Sequence, residues 1–163
     1  MKKLLLVRHA KSGWESDIIS DFYRKLSKQG NLDADEMANL IKNSITKIDR
    51  IVSSPAVRAI STAEYFANAF KVSFSQIETD IGLYEKGIKY FKKLIGEQDN
   101  SNECIMFVGH NPLITHLITD LTGAEISSLE ACSVACIDFN ISDWADIEKN
   151  NGKLIFIEEP FKL

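Results

Sequence analysis

Two histidines and two arginines lie at three places where an apolar run gives way to turn residues. The three junctions are residues 7–11 (VRHAK), 53–58 (SSPAVR) and 108–112 (VGHNP). Ligands of open α/β sheets bind beyond the carboxyl ends of the strands, so junctions that are distant in sequence can meet there. The pattern predicts one shared pocket that contains Arg8, His9, Arg58 and His110.

This combination of side chains suits phosphoryl transfer without a metal ion. A neutral imidazole nitrogen can attack phosphorus, while arginine guanidinium groups bind the non-bridging oxygens in a bidentate manner and stay charged. A second imidazole can donate a hydrogen bond to the same oxygens and stabilise the transition state. Ser54 and Pro55 predict the N-cap and first residue of a helix, whose positive dipole end would lie beside Arg58.

Short apolar runs predict the strands that would carry these junctions. The first run shows no polar alternation, which is typical of a central strand buried on both faces. The last two runs are separated by a segment with an Asn151-Gly152 turn signal. The predicted strands are Lys3–Val7, a strand opening at Ile51–Val52, Cys104–Val108, Ser133–Phe139 and Leu154–Ile157.

Helical periodicity separates most of these strands. Apolar positions recur at intervals of three and four over Gly30–Asn43, and again in the helix expected to begin at Ser54–Pro55. Ile88–Ile95 and the segment starting at Pro112 also predict helices, whereas Thr79–Gly87 predicts a loop. Strands that alternate with helices are typical of α/β domains. We therefore predict a three-layer α/β/α sandwich around a mostly parallel central sheet.

The length and composition are those of one ordinary globular domain, which we predict to span residues 1–163. The chain is 45% hydrophobic and 26% charged, which argues against disordered, fibrous and membrane proteins. Its formal net charge is −4, and it has no run of five or more Lys or Arg residues. Because affinity for a phosphate backbone requires clustered positive charge, we expect no binding to nucleic acid.

The cysteines and the N-terminal segment bear on cofactors and location. Cys104, Cys132 and Cys136 show no CxxC pattern and no zinc-ligand spacing, which indicates neither a disulfide framework nor a structural metal and predicts reduced thiols in the core. We expect no cofactor. The apolar run Leu4–Val7 is too short for a signal sequence or a membrane helix. These features favour a cytoplasmic protein that does not bind membranes.

The motifs together resemble the histidine phosphatase superfamily, which has the phosphoglycerate mutase-like fold, and in particular its SixA-type phosphohistidine phosphatase branch. The motifs occur in the family's order, and they are distributed over nearly the whole chain. They are LLLVRHAKSGW (4–14), DFYRKLSKQG (21–30), SSPAVRAISTAEYF (53–66), LYE (83–85) and VGHNP (108–112), followed by Trp144, Leu154 and Pro160.

The resemblance implies roles for the four residues of the predicted pocket. His9 would be the nucleophile that forms a phosphohistidine intermediate. Arg8 and Arg58 would bind the phosphoryl group, and His110 would be the second histidine of the pocket, also in contact with it.

Two further residues receive roles from the same resemblance. Arg24 matches the arginine of the family's R-P-L stretch and would also reach the phosphate, although Lys25 replaces the usual proline. Glu85 is the nearest match to the general-acid carboxylate of other branches. Each also has a simpler interpretation as a solvated loop charge. An imidazole leaving group is much less basic than an alkoxide and needs little help from an acid.

The expected function is a metal-independent phosphatase that removes phosphate from phosphohistidine on a protein such as a phosphotransfer domain. One alternative is a phosphatase for a small phosphate ester on the same fold. Another is a regulatory module that binds phosphate but has lost catalysis. A metal-dependent hydrolase would need carboxylates at ligand spacing near His9 or His110, and the sequence has none there.

Overall fold

The computed structural model of the chain describes residues 1–14 and 18–161, which form a six-stranded sheet with helices on both faces. The strands are β1 (Lys2–Arg8), β2 (Arg50–Ser53), β3 (Ile77–Thr79), β4 (Cys104–Gly109), β5 (Val134–Phe139) and β6 (Gly152–Glu158). The α-helices are α1 (Lys28–Ser44), α2 (Val57–Phe70), α3 (Gly82–Glu85), α4 (Ile88–Gly96) and α5 (Leu113–Thr122). Three short 3-10 helices lie at Asp21–Tyr23, Phe74–Gln76 and Trp144–Asp146.

The strand order is β3-β2-β4-β1-β5-β6. The β3/β2, β2/β4 and β4/β1 pairs are parallel, while β1/β5 and β5/β6 are antiparallel. The predicted α/β fold with a mostly parallel sheet is therefore confirmed, with the antiparallel pairs confined to one side. Because β1, β2 and β4 run in the same direction side by side, their carboxyl ends lie at one edge of the sheet.

Strand β1 separates two hydrophobic cores. Leu5 and Val7 pack with α1 and α2 on one face, where Met37 and Phe66 are buried. Leu4 and Leu6 pack on the opposite face, with the buried side chains of α4 and α5. Successive side chains of a strand point to opposite faces, so an uninterrupted apolar run fills both cores. This arrangement gives the predicted three layers.

Helix α2 begins later than the sequence predicts. Its first residue is Val57 and its N-cap is Ala56, so the assignment of Ser54 and Pro55 to the cap and first turn is wrong. The Ser54 hydroxyl still accepts a hydrogen bond from the Ala56 amide at 3.2 Å, but it also contacts the His110 ring, and the Ser54 amide donates to the Val108 carbonyl. These contacts hold Ser54 to β4, outside the helix.

The segment predicted as a loop at Thr79–Gly87 contains the short helix α3, and strand β3 just before it was not predicted. Strand β3 has three residues, of which Glu78 and Thr79 are exposed, so it carries no apolar run. Among the described residues, no helix combines the length and apolar character needed to cross a bilayer.

Candidate active site

The three predicted junctions meet at the carboxyl edge of the sheet. Arg8 at the end of β1 is paired with Gly109 at the end of β4, and Ser53 of β2 is paired with Val108. The backbone continues these pairings, because the His9 amide donates to the Gly109 carbonyl at 3.0 Å. The side chains of His9, Arg58 and His110 consequently lie in contact.

The hydrogen bonds of His9 define its tautomer. Its Nδ1 lies 2.8 Å from the Ala10 carbonyl oxygen, which can only accept, so Nδ1 carries the proton. Its Nε2 accepts a hydrogen bond from Nε of Arg58 at 3.2 Å. The unprotonated nitrogen of His9 therefore faces the guanidinium group, where a phosphoryl group would be held.

His110 is oriented by Ser54, which directly follows the neighbouring strand β2. The two imidazole rings are 5.0 Å apart between centroids and tilted by 57°. His110 Nε2 lies 2.8 Å from the Ser54 hydroxyl, and its Nδ1 is 3.5 Å from Nη2 of Arg58. A guanidinium group only donates, so Nδ1 is the acceptor in this arrangement and Nε2 donates to Ser54. The sequence predicts Ser54 only as a helix cap. Its contact with His110 could not be predicted, because the two residues are 56 positions apart and meet only in the folded chain.

Both imidazoles are held neutral. Burial is the main cause that lowers the pKa of His9 to about 4, and the positive charges of Arg58 and Arg8 lower it further. Burial likewise lowers the pKa of His110 to about 3, with added repulsion from His9 and Arg58. At neutral pH His9 Nε2 consequently carries no proton, as a nucleophile requires.

Arg58 lies in the first turn of α2, with only 7% of its side chain exposed. Besides His9, it binds Asp21 twice: Nη1 donates to the Asp21 carbonyl at 2.5 Å, and Nη2 donates to carboxylate Oδ2 at 2.8 Å. The hydroxyl of Tyr84 donates to the same carboxylate oxygen at 2.8 Å. Partial burial alone would raise the pKa of Asp21, but the hydrogen bonds from Arg58 and Tyr84 lower it to about 2.

Arg8 is held by a segment that crosses the end of β1. Its Nη1 donates to the Leu129 carbonyl, and Asn111 donates to the same oxygen at 3.1 Å. The Cys132 amide, at a residue with a φ of 66°, donates to the carbonyls of Arg8 and His9. Nε of Arg8 is buried without a hydrogen-bond partner among the described residues. The positive charge of Arg8 lowers the pKa values of both imidazoles.

Arg24 joins the same cluster through Asp21. Its Nη1 donates to the second carboxylate oxygen of Asp21 at 3.2 Å, and its guanidinium group lies over the ring of Trp14 at 3.9 Å from the centroid. Lys25, at the position of the family's usual proline, is exposed, and its carbonyl accepts from the Gly13 amide at 3.1 Å. Arg24 is thus positioned by an aromatic face and a carboxylate.

Glu85 lies at the end of α3, and its side chain is exposed. Within residues 1–14 and 18–161, it makes no side-chain hydrogen bond or ion pair. Its neighbour Tyr84 instead points to the pocket, with its ring edge-on to His110 at 5.3 Å between centroids. The Leu83-Tyr84-Glu85 motif therefore contributes a tyrosine to the cluster, and Glu85 as general acid stays a prediction.

The cysteines lie in the core, away from this cluster. Cys104, Cys132 and Cys136 are all buried and unpaired. Burial raises the pKa of their thiols to about 12, 12 and 11, respectively. Thiols in this state are poor nucleophiles. The described residues contain no group of three or more His, Cys, Asp or Glu side chains placed to hold a metal ion.

Comparison with known proteins agrees with this geometry. The profile of the histidine phosphatase superfamily (branch 1) matches residues 4–94. An uncharacterized chloroplastic protein of Arabidopsis thaliana is 28% identical over 155 residues, which cover 89% of this chain and 70% of that protein. The family match spans more than half of the chain, which therefore belongs to the histidine phosphatase superfamily.

Solved structures share the fold over almost the full length. A protein assigned as the phosphohistidine phosphatase SixA of Agrobacterium tumefaciens has a TM-score of 0.82 at 24% identity, covering 98% of this chain and 99% of its own. The protein histidine phosphatase SixA in complex with tungstate has a TM-score of 0.73 at 23% identity, covering 97% of both chains. These similarities show the phosphoglycerate mutase-like fold, and together with the family they support a phosphatase.

Proposed function

We propose that this protein is a phosphatase that removes the phosphoryl group from phosphohistidine on another protein, through a covalent adduct on His9. The observation that carries the proposal is the state of His9: a neutral ring whose unprotonated Nε2 lies 3.2 Å from the guanidinium group of Arg58. A nucleophile beside a fixed phosphate-binding cation is the arrangement that phosphoryl transfer requires.

In the first step, Nε of Arg58 releases Nε2 of His9 and donates to a phosphoryl oxygen. The lone pair of Nε2 then forms a bond to phosphorus while the bond between phosphorus and the substrate imidazole breaks. The departing nitrogen takes a proton from solvent. Water then attacks phosphorus, the bond to His9 breaks, and inorganic phosphate leaves. Arg8, Arg58 and Arg24 would balance the charge on the phosphoryl oxygens in both steps.

His110 would stabilise the same charge through a change in its hydrogen bond to Ser54. A serine hydroxyl rotates freely and can either accept or donate. When Ser54 donates to Nε2, the proton of His110 lies on Nδ1, the atom that faces Arg58 at 3.5 Å. Nδ1 can then donate to a phosphoryl oxygen.

The openness of the site supports a substrate carried by a protein. The side chain of Asp21 is 47% exposed, and the nearby Trp14 and Tyr23 are 69% and 63% exposed. A phosphorylated side chain on a folded surface can approach such a site, whereas an enclosed pocket would admit only a small molecule.

The test is to trap and map the phosphorylated intermediate. A protein phosphorylated on histidine with ³²P is mixed with the enzyme, quenched at alkaline pH, where phosphohistidine survives, and digested for mass spectrometry. We expect label on His9, loss of turnover in His9→Ala, and full turnover in EDTA. His116→Ala is the matched control, because His116 is exposed on α5.

Three results would contradict the proposal. Full activity of His9→Ala would exclude the covalent mechanism. Faster turnover of small phosphate esters than of the phosphorylated protein would favour a metabolite phosphatase. Tight phosphate binding without any turnover would indicate a regulatory module.

A further inference from the structure

The donors expected to bind a phosphoryl group converge on a side chain of the protein itself. Arg58 donates to Oδ2 of Asp21 at 2.8 Å, and the Tyr84 hydroxyl donates to the same atom at 2.8 Å. Arg24 donates to Oδ1 at 3.2 Å. Two guanidinium groups and one hydroxyl therefore surround a single carboxylate.

This arrangement resembles the binding of a small oxyanion. Carboxylate and phosphoryl groups both present negatively charged oxygens to the paired N–H groups of arginine, and Arg binds either in the same manner. Arg58 and Arg24 are also two of the three arginines for which the family resemblance implies contact with phosphate. Asp21 thus uses the donors that the substrate needs.

The burial of the two partners shows which of them can move. The Arg58 side chain is 7% exposed and is fixed by His9 and by the backbone carbonyl of Asp21. The Asp21 side chain is 47% exposed. The carboxylate can rotate into solvent without opening either core, whereas Arg58 cannot leave.

We propose that the carboxylate of Asp21 occupies the phosphoryl subsite of the empty enzyme, and that a substrate phosphoryl group must displace it from Arg58 and Arg24. This inference rests on the proposed function and concerns the affinity of the same site for phosphate and the release of the product. An internal anion weakens the binding of every free anion, including the phosphate product. The competition lowers the affinity for free phosphate and for a phosphorylated protein by the same factor. A protein substrate that makes further contacts with the surface still binds, whereas the phosphate product is readily released.

The test is equilibrium binding of inorganic phosphate by calorimetry at pH 7 to the wild type and to Asp21→Asn. The substitution keeps the shape and the backbone carbonyl that holds Arg58 but removes the charge. We expect the dissociation constant to fall about fivefold or more, the order expected for one unit charge a few ångströms away at a solvated site. The inhibition constant of phosphate in turnover assays should fall in parallel.

Two variants complete the design. Asp35→Asn, on the exposed face of α1, makes the same change in net charge and should leave phosphate affinity unchanged. Arg58→Ala should abolish phosphate binding in either background. Thermal unfolding of Asp21→Asn checks that the fold is retained.

The outcomes separate this inference from the proposed function. If Asp21→Asn binds phosphate as the wild type does or more weakly, while Arg58→Ala still loses binding, Asp21 does not compete with phosphate and the proposed phosphatase function is unaffected. Weaker binding would make Asp21 a positioning residue for Arg58. An equal gain in phosphate affinity in Asp35→Asn would show that the effect comes from the change in net charge, and it would also overturn the proposal about Asp21. If neither wild type nor Asp21→Asn binds phosphate, both proposals fail.

Discussion

Nε of Arg58 donates to Nε2 of His9 over 3.2 Å, so a residue of helix α2 holds Nε2 as the unprotonated nitrogen of a histidine at the end of a strand. The opposite nitrogen of His9 is bound to the Ala10 carbonyl at 2.8 Å. These two contacts fix the ring and its tautomer before any substrate arrives. Preorganisation of this kind removes the cost of orienting the nucleophile during the reaction.

The buried imidazoles should make stability depend on pH. The pKa of His9 is about 4 and that of His110 about 3 in the folded protein, against an ordinary value of 6.5. The unfolded chain therefore takes up these protons at higher pH than the folded chain. Their contribution to the free energy of unfolding is fully present above pH 6.5. It is lost as pH falls from about 6.5 to about 4 for His9 and to about 3 for His110. For His9 alone this corresponds to roughly 3 kcal/mol.

Denaturant unfolding at pH 7 and pH 4.5 measures this difference. We expect the variant carrying His9→Gln and His110→Gln to lose most of the difference, whatever its absolute stability. The lowered pKa of Asp21, about 2, acts below this window and does not confuse the result. The same pH dependence in wild type and variant would show that the two histidines are not the cause.

Ser54 should act as a positioning residue for His110. The Ser54 hydroxyl lies 2.8 Å from His110 Nε2 and is the only hydroxyl among the described residues that forms a hydrogen bond with that atom. We expect Ser54→Ala to lower kcat about tenfold, with a smaller change in KM. Ser53→Ala is a matched control, because Ser53 is equally buried but its hydroxyl donates to the Ser54 carbonyl at 2.9 Å. Each change should lower the free energy of unfolding by about 1 kcal/mol.

Ser54→Thr retains a hydroxyl and should restore part of the turnover. Equal losses of kcat in Ser53→Ala and Ser54→Ala would assign the effect to general destabilisation, and the positioning role would be abandoned.

The convergence of His9, Arg58 and His110 could be predicted from the sequence because these residues follow the ends of neighbouring strands. Lys3–Val7 and Cys104–Val108 are apolar throughout, as strands buried on both faces must be, and the prediction that residues beyond parallel strand ends meet follows from the fold class. His9 and His110 were found in this way.

The contributions of Asp21 and Tyr84 could not be found from local pattern. Their hydrogen bond joins residues 63 positions apart, and neither residue belongs to a strand-end motif. Asp21 opens the D-x-x-R-x-L-S stretch that carries the family resemblance, but within that stretch the resemblance implies a role only for Arg24. The start of α2 was misplaced for a related reason, since the contact of Ser54 with His110 overrides its local tendency to cap a helix.

Gly30 should be required for the loop that follows His9. A Cβ added at Gly30 would lie 2.0 Å from the Lys11 carbonyl oxygen, which also accepts hydrogen bonds from the amide and hydroxyl of Ser27. We expect Gly30→Ala to lower the free energy of unfolding by about 1–3 kcal/mol, as overpacking does, and to reduce turnover by displacing the loop.

Gly87→Ala is the control for that experiment, because nothing lies within 4 Å of its added Cβ. Thermal and denaturant unfolding of the two variants should differ clearly. A Gly30→Ala protein with wild-type stability would show that α1 and the loop can separate without cost.

The final prediction concerns Glu85 and the basicity of the leaving group. A general acid speeds departure of a basic alkoxide far more than of an imidazole, and typical contributions are about 10²-fold or more. If the exposed carboxylate of Glu85 reaches the leaving group, Glu85→Gln should slow hydrolysis of an alkyl phosphate at least tenfold and change phosphohistidine turnover less than threefold. Glu36→Gln, on the exposed face of α1, is the control. The check is to measure kcat/KM of Glu85→Gln on both substrates in parallel. A loss of kcat/KM below twofold on each substrate would show that Glu85 is not a catalytic residue.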